Sequence, residues 1–360
     1  MNSKDYSDIR VELNSNSIFL VKKNSYFILL AMMSLILILT LIFALSMGRY
    51  SINFSTIIKV LISKLIDINI DWSITEQQVI ESVRMPRILV AGLCGASLAL
   101  GGSALQGLFR NPLVGPQVIG VSSGAAFGGV IAILLMLPDF YIAIFAFLFG
   151  VIALLVAMMI AKSGGGKNVL SLVLAGIVTS AFFTSLVSLV KYVADPNNTL
   201  PSIVYWLMGS FNESRYIDVI YILLPLLTVG IIIFKMRYVI NILSLGEEEA
   251  SSMGVNVNLS RWVILLSTAI LIAASVSVSG IIGWVGLIIP HFARMIVGSN
   301  HGKLIPISMF IGAIYLILVD VFARTISYGE IPIGVITAIF GAPIFAWLLY
   351  KSQLRGWRHD

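Results

Sequence analysis

Pro290, His291 and Arg294 interrupt an otherwise aliphatic stretch, GWVGLIIPHFARMIVG (residues 283–298), and so put a helix breaker, a base and a cation where a membrane-crossing segment would carry only alkyl side chains. An imidazole could move a proton and a guanidinium could hold an anion, but neither has a nucleophile or carboxylate at a recognisable spacing. His291, His301 and His359 stand at no ligand spacing with Cys94 or with the acidic residues, so the sequence implies neither a metal site nor a cofactor. Asp320 and Arg324 lie four apart, on one face of a helix, and can neutralise each other, with Glu330 following on the same side. The segment SGGGKN looks like a phosphate-binding loop and fails both tests of one. Ala161 holds the place of the first glycine, and Asn168 follows the lysine where Ser or Thr is needed. No nucleophile elbow, zinc-binding His-Glu-x-x-His or dinucleotide fingerprint occurs either. The chain is therefore not read as an enzyme.

The elements that must position these residues follow from composition. Of 360 residues, 58% are apolar and 11% charged, and the mean hydropathy is +0.99; a soluble core of ordinary proportions cannot bury that much apolar surface. The apolar runs approach the roughly 20 residues that a helix needs to cross a bilayer, and they do not alternate as barrel strands would. The expected fold is an all-α integral membrane protein with about ten transmembrane helices, at residues 27–47, 88–107, 117–137, 140–161, 169–193, 216–235, 262–279, 281–297, 305–323 and 333–350. Residues 1–26 form an N-terminal segment and 351–360 a C-terminal tail. The first run follows a mostly polar stretch and lacks a small-residue cleavage site, so it reads as a retained span. With an even number of spans both ends share a side. That side collects 15 of the 23 Lys and Arg against 8 opposite, which predicts cytoplasmic termini. The pI near 9.4 follows from the same bias and does not point to nucleic acid.

Three patterns within the spans and loops carry more. Ala91, Gly95, Ala99, Ser103 and Gly107 recur every four residues, as do Gly120, Gly124 and Gly128, and such ridges let helices approach at backbone distance. Gly176, Ser180, Thr184 and Ser188 form a hydroxyl stripe leading to Lys191 and Tyr192. It reads either as a water-exposed pathway surface or as hydroxyls returned to backbone carbonyls. Between two spans, residues 238–261 form a polar island. There Gly246 breaks the preceding turn, Glu247, Glu248 and Glu249 suit a helix N-terminus, and Gly254 can close a short helix. So short a helix is marginal alone, and the island is either a solvated connector or a partner's contact.

Four blocks, RMPRILVAGLCGASLALGGSALQGLFRNPLVGPQVIGVSSGAAFGG, LSLGEEEASSMGV, GIIGWVGLIIPHFARMIVGSNHGKLIP and DVFARTISYGEIPIGVITAIFGAPIFAWLL, occur in an order and spacing that closely resemble FecCD-type permeases of ABC importers for iron-siderophores, haem and cobalamin. The resemblance runs from about residue 30 to 350. It implies a multi-pass subunit of the cytoplasmic membrane, in contact with lipid, that pairs with a second permease subunit, identical or homologous. Two cytoplasmic ATPase subunits and an extracytoplasmic substrate-binding protein complete such an importer, and a ferric siderophore is the expected cargo, with haem or cobalamin as alternatives. It also implies that Leu243, Ser244, Leu245, Gly246, Glu247, Glu248, Glu249, Ala250, Ser251, Ser252, Met253 and Gly254 form the contact with the ATPase. Arg84, Arg87 and Arg324 match arginines that meet acidic residues of the binding protein. Ser180, Thr184 and Ser188 are candidates for the translocation path. Pro290, His291 and Arg294 are expected to be structural or gating residues; Pro290 should face the bundle, and Arg294 should reach headgroups or a carbonyl. Arg110, Asn111 and Pro112, at the end of the second span, are expected to tie that turn together.

Two other classes remain as rivals on the same residues. An ion-coupled secondary carrier would bury a carboxylate at mid-membrane, whereas nearly every carboxylate here lies in a loop or near a span end. An intramembrane enzyme would have His291 as its only candidate base.

Overall fold

The computed structural model describes residues 23–356 apart from 65, 68, 70, 164–168 and 328. The Gly-rich turn at 164–168, most of the N-terminal segment and the end of the tail, with His359, lie outside the described residues. Among those described, every regular element is helical. In chain order these are α1 (Lys23–Ser46), α2 (Phe54–Ile62), α3 (Ile74–Gln78), α4 (Met85–Leu108), α5 (Val121–Leu134), α6 (Asp139–Ser163), α7 (Val169–Val193), α8 (Thr199–Leu207), α9 (Tyr216–Pro225), α10 (Ile231–Lys235), α11 (Arg237–Leu243), α12 (Glu247–Ser252), α13 (Val257–Ser279), α14 (Val285–Val297), α15 (His301–Thr325) and α16 (Ile333–Gly356). A wide π turn at Val79–Arg84 joins α3 to α4, and another at Leu226–Gly230, after Pro225, joins α9 to α10.

Seven helical stretches are long and apolar enough to cross a membrane: Ser25–Ser46, Ile74–Leu108, Asp139–Ser163, Leu170–Val193, Tyr216–Lys235, Val257–Ser279 and His301–Thr325. Two of the other three segments expected as spans are shorter apolar helices, Val121–Leu134 and Val285–Val297, and the third lies within α16. The shortening has local causes. Gly120 (φ +82°) holds the left-handed conformation ahead of α5, and a 3₁₀ turn at Pro116–Ile119 replaces its expected first turn. Residues 280–284 are not helical, because Gly280 (φ +67°) and Trp284 (φ +70°) are both left-handed. At Gly280 a side chain would strike the Trp206 carbonyl. Both flanks of this irregular backbone are tied inside the protein: Gly280 N donates to Val276 O at 2.9 Å, Val285 N to Gly283 O at 2.9 Å, and Leu287 N and Ile288 N to Trp284 O at 3.0 and 2.9 Å. At the far end α16 runs past the expected limit of 350, through KSQLR, a run that suits a helix.

Burial ranks the helices. The apolar windows of α4, α13 and α15 are 83%, 72% and 61% buried, against 17% for α1 and 33% for α6 and α7, so the first three form the centre. Their contact rests on the small-residue ridge. A side chain at Gly95 would collide with the Gly312 carbonyl, one at Gly312 with Gly95 O, and one at Gly102 with the Gly286 carbonyl of α14. In lipid, where apolar surface gains nothing by leaving lipid for protein, such close approach supplies the dispersion that holds helices together. Gly124 and Gly128 of α5 do the same against the Phe149 and Phe145 carbonyls of α6. Both ridges thus pack as their spacing predicts.

Candidate functional site

Five groups of expected functional residues fall in different parts of this bundle, two of them at opposite ends of the α4–α15 pair. The two helices run antiparallel in a constant register. Arg87 meets Asp320 at one end, Gly95 faces Gly312 in the middle, and Gly107 abuts His301 at the other end. From Arg87 to Gly107 the pair spans about 30 Å at helical rise, the thickness of a bilayer core.

At the Arg87 end the three matched arginines converge, and all are buried: Arg84 is 3%, Arg87 5% and Arg324 5% exposed. The i,i+4 spacing pairs Asp320 with Arg324, but that contact is the longer one, at 3.4 Å. Asp320 is wholly buried, and its Oδ1 receives Arg87 Nε and Nη2 at 2.8 Å each. Arg87 also donates to both oxygens' side of Glu330, with Nη1 to Oε1 and Nη2 near Oε2, each at 3.0 Å. Its Nη1 reaches Asn212 Oδ1 at 3.4 Å as well. Arg324 Nη2 donates to the Ala44 carbonyl of α1 at 2.6 Å, and Arg84 caps the end of the same helix through the Leu45 carbonyl and then Tyr50 O. Two guanidinium groups thus balance two carboxylates, and the third is satisfied by carbonyls. In this conformation all three arginines hold helix ends together, and none presents a free fork to a partner. Sequence spacing had no means of finding the link between Arg87 and Asp320, which crosses most of the chain.

The opposite end carries the polar island. It gathers Arg237, Arg261, Arg294 and Lys303. The short helix forms where expected, over Glu247–Ser252, with Gly254 in the left-handed conformation (φ +81°) after it. Leu243, Gly246 and Ala250 are buried and anchor it. Ser244, Leu245, Glu248, Glu249, Ser251, Ser252, Met253 and Gly254 are exposed, so two carboxylates stand between two uncovered apolar side chains, Leu245 and Met253. Glu247 differs from its neighbours: it is half-buried, and its Oε1 pairs with Arg261 Nη2 of α13 at 2.5 Å. The acidic run therefore divides into one structural residue and two surface ones.

The Pro290 segment is explained by α4. Pro290 is buried, as expected of a residue facing the bundle. Gln106, 2% exposed, donates Nε2 to the Leu287 carbonyl at 3.0 Å and accepts from Arg294 Nη2 on its Oε1 at 2.9 Å. Arg294 is thus held by a buried side-chain amide, not by a headgroup or a carbonyl. His291 is half-buried on the same helix. The one side-chain amide in GSALQGLF was the available signal for Gln106.

Arg110 and Asn111 close α4. Asn111 N donates to Gln106 O at 3.2 Å and Arg110 N to Gly107 O at 3.3 Å, the paired bonds of a Schellman C-terminus. Arg110 takes the left-handed position usually given to glycine (φ 52°). Asn111 Oδ1 accepts from Leu113 N at 2.9 Å, which turns the chain over exposed Pro112.

On α7, Thr184 and Ser188 are exposed and Ser180 is half-buried. The Ser188 hydroxyl returns to Thr184 O at 3.1 Å. Leu174, Val178 and Phe182 are exposed in a separate row on the same helix, so the exposed surface of α7 as a whole is mixed and not a polar lane.

Comparison with known proteins places this architecture. The FecCD transport family matches residues 36–351. The chain is 43% identical over 336 residues to the molybdate import system permease protein MolB of Haemophilus influenzae, covering 93% of this chain and 99% of that one. It is 42% identical over 275 residues to a probable iron chelatin transport system permease of Helicobacter pylori, covering 76% and 83%. A solved structure, an inward-facing conformation of a metal-chelate type ABC transporter, superposes with a TM-score of 0.81 at 42% identity, over 91% of this chain and all of that one. The chain therefore belongs to the FecCD transport family, as a multi-pass ABC importer permease of the cell membrane.

Proposed function

We propose that this permease is one of two membrane subunits around a shared translocation path, driven by ATPases that grip the acidic loop. The observation that carries the reading is the form of that loop. A short helix rooted in the bundle by Leu243, Ala250 and the Glu247–Arg261 pair offers Glu248 and Glu249 between Leu245 and Met253. The uncovered alkyl groups gain by being covered at a partner's surface, and the carboxylates between them suit cationic groups there. Here ATP is split on the partner, and its energy enters this chain as movement of residues 243–254. The ten helical segments cross the membrane with both termini inside, which puts the loop in the cytoplasm and the Arg87 cluster outside.

A binding protein docks on the Arg87 end. Among Arg84, Arg87 and Arg324, Arg87 has the exchangeable partner, because Glu330 is 19% exposed in its side chain and can yield its place to an incoming carboxylate. The exposed face of α7, with Thr184 and Ser188 on it and half-buried Ser180 at its edge, faces the second subunit and the path between the two. A path of this mixed character binds cargo weakly, and selection rests with the binding protein.

The cargo in this reading is a metal-bearing complex, a ferric siderophore. A second reading, molybdate, is favoured by the similarity to the molybdate permease across nearly the whole chain. Proteoliposomes holding the complete importer, supplied with a ⁵⁵Fe-labelled siderophore or with ⁹⁹Mo-molybdate, separate the two by which label enters with ATP. The transport reading is tested by replacing Glu247, Glu248 and Glu249 together with Lys. Uptake should be lost or the ATPase should dissociate while membrane insertion persists; ATPase retention with normal uptake would overturn the loop assignment.

A further inference from the structure

His301 stands at the first position of α15, 3% exposed, where a polar loop would be expected to leave it in water. What buries it is α11, the helix that leads into the acidic loop. Asn241 of α11 accepts two hydrogens from His301 on its Oδ1, from the backbone N at 2.9 Å and from ring Nδ1 at 2.7 Å. Its Nδ2 donates to Asn300 Oδ1 at 3.3 Å, and that oxygen also caps α15 by accepting from Gly302 N at 2.9 Å. The orientation of the Asn241 amide is thereby fixed. Backbone N–H groups only donate, so Asn300 Oδ1 and Asn241 Oδ1 are both acceptors, and the imidazole must carry its hydrogen on Nδ1.

The remaining ring nitrogen, Nε2, is buried, with no partner at full hydrogen-bond distance and the backbone of Ser103 on α4 as its polar neighbour. It lies against Gly107 of α4, where a side chain would collide with both Nε2 and Ile240 of α11. The imidazole is therefore clamped between three helices, bonded to α11, rooted in α15 and seated on the glycine of α4. Only three residues, Ser244–Gly246, separate α11 from the acidic helix. Beyond the clamp the α4–α15 pair keeps its register to the ion pair of Arg87 and Asp320.

We infer that the Asn241–His301 pair is the joint through which displacement of the acidic loop reaches the α4–α15 pair, so that loop and pair move as one body. The inference rests on the reading of residues 243–254 as the ATPase contact and adds to it the residues that transmit the movement. His301 acts as a positioning residue, since it touches neither nucleotide nor cargo.

The test uses the whole importer with its own partners, in nanodiscs. Spin labels at Ser252→Cys and Thr325→Cys, both exposed sites at opposite ends, report the distance between loop and far end; Cys94 is buried and stays unlabelled. With the joint intact, the distance distribution is the same without nucleotide and after trapping with ATP and vanadate. With Asn241→Leu or His301→Leu, trapping shifts and broadens it. His301→Asn, whose Nδ2 can take the place of Nδ1, restores the unshifted distance. Should the leucine variants not assemble, His301→Gln, which moves the donor to the Nε2 position, decides in the same way. A distance that shifts in the wild type, or that stays fixed in the leucine variants, overturns the joint. Retention of the ATPase by the Glu248→Lys, Glu249→Lys variant overturns the loop reading and the joint with it; loss of the ATPase there, with fixed distances in the leucine variants, overturns the joint alone.

Discussion

Arg87 of α4 holds one oxygen of Asp320 on α15 with two nitrogens at 2.8 Å each, Nε donating a hydrogen bond and Nη2 completing the ion pair, with both side chains almost out of solvent. Removing one member of a buried ion pair strands the other charge and costs about 3–5 kcal/mol. Asp320→Ala leaves Arg87 and Arg324 facing each other and should reach that range, whereas Arg324→Ala leaves Asp320 its closer partner and should cost less. Unfolding in detergent micelles, followed by heat or denaturant, gives the order. Equal losses in the two variants would mean that Arg324 and not Arg87 holds the carboxylate.

The middle of the same helix pair depends on shape alone. Gly95→Val places its side chain in the Gly312 carbonyl, which is backbone and cannot rotate away, so the helices must separate. Overpacking of this kind costs about 1–3 kcal/mol. Gly254→Ala makes a useful contrast, since no atom lies within 4 Å of the added carbon but the backbone is left-handed (φ +81°). Its cost is conformational, about 1–2 kcal/mol, and it should fall on the acidic loop while the bundle melts at the wild-type temperature. Limited proteolysis of the loop beside a thermal melt separates the two variants.

These sites show what kind of information the sequence held. Local, periodic features were legible: the four-residue ridges announced the contacts of Gly95, Gly124 and Gly128, and the Gly246–Gly254 frame announced the short acidic helix. What the spacing missed depends on partners far away in the chain. Asp320 has an obvious partner four residues on, and only the fold brings the better one, Arg87, beside it. Gln106 and Asn241 look like isolated polar residues until Leu287, Arg294 and His301 are set against them. Helix lengths were missed where single residues took unusual backbone angles, as at Trp284, whose type gives no hint of a left-handed conformation.

The division within the acidic run gives a third prediction. Glu247→Lys brings a cation to Arg261, whose side chain is only 12% exposed, and loses a charge-assisted bond worth about 1.5–3 kcal/mol. Glu248→Lys and Glu249→Lys lie on the open surface and should change stability by no more than about 0.5 kcal/mol. Thermal melts of the isolated permease should therefore single out Glu247, while the amount of ATPase that co-purifies should single out the other two. A melt that fell equally for all three would place Glu248 and Glu249 in the packing of the loop.

At the end of α4, Arg110 and Asn111 each donate one backbone bond of a Schellman turn, and Arg110 does so in a conformation that opposes a side chain, left-handed with φ 52°. The cost of holding a residue with a Cβ there is about 1–2 kcal/mol, part of which glycine recovers and part of which it loses again as chain entropy. Arg110→Gly should thus stabilise the protein by up to about 1 kcal/mol, and Arg110→Val, branched at Cβ, should destabilise it by more than Arg110→Ala does. The exposed guanidinium makes no contribution in this account, so Arg110→Asn, which tolerates the left-handed region, should match or exceed the wild type in a thermal melt. If Arg110→Asn and Arg110→Gly both melt well below it, the side chain and not the backbone is what secures the turn.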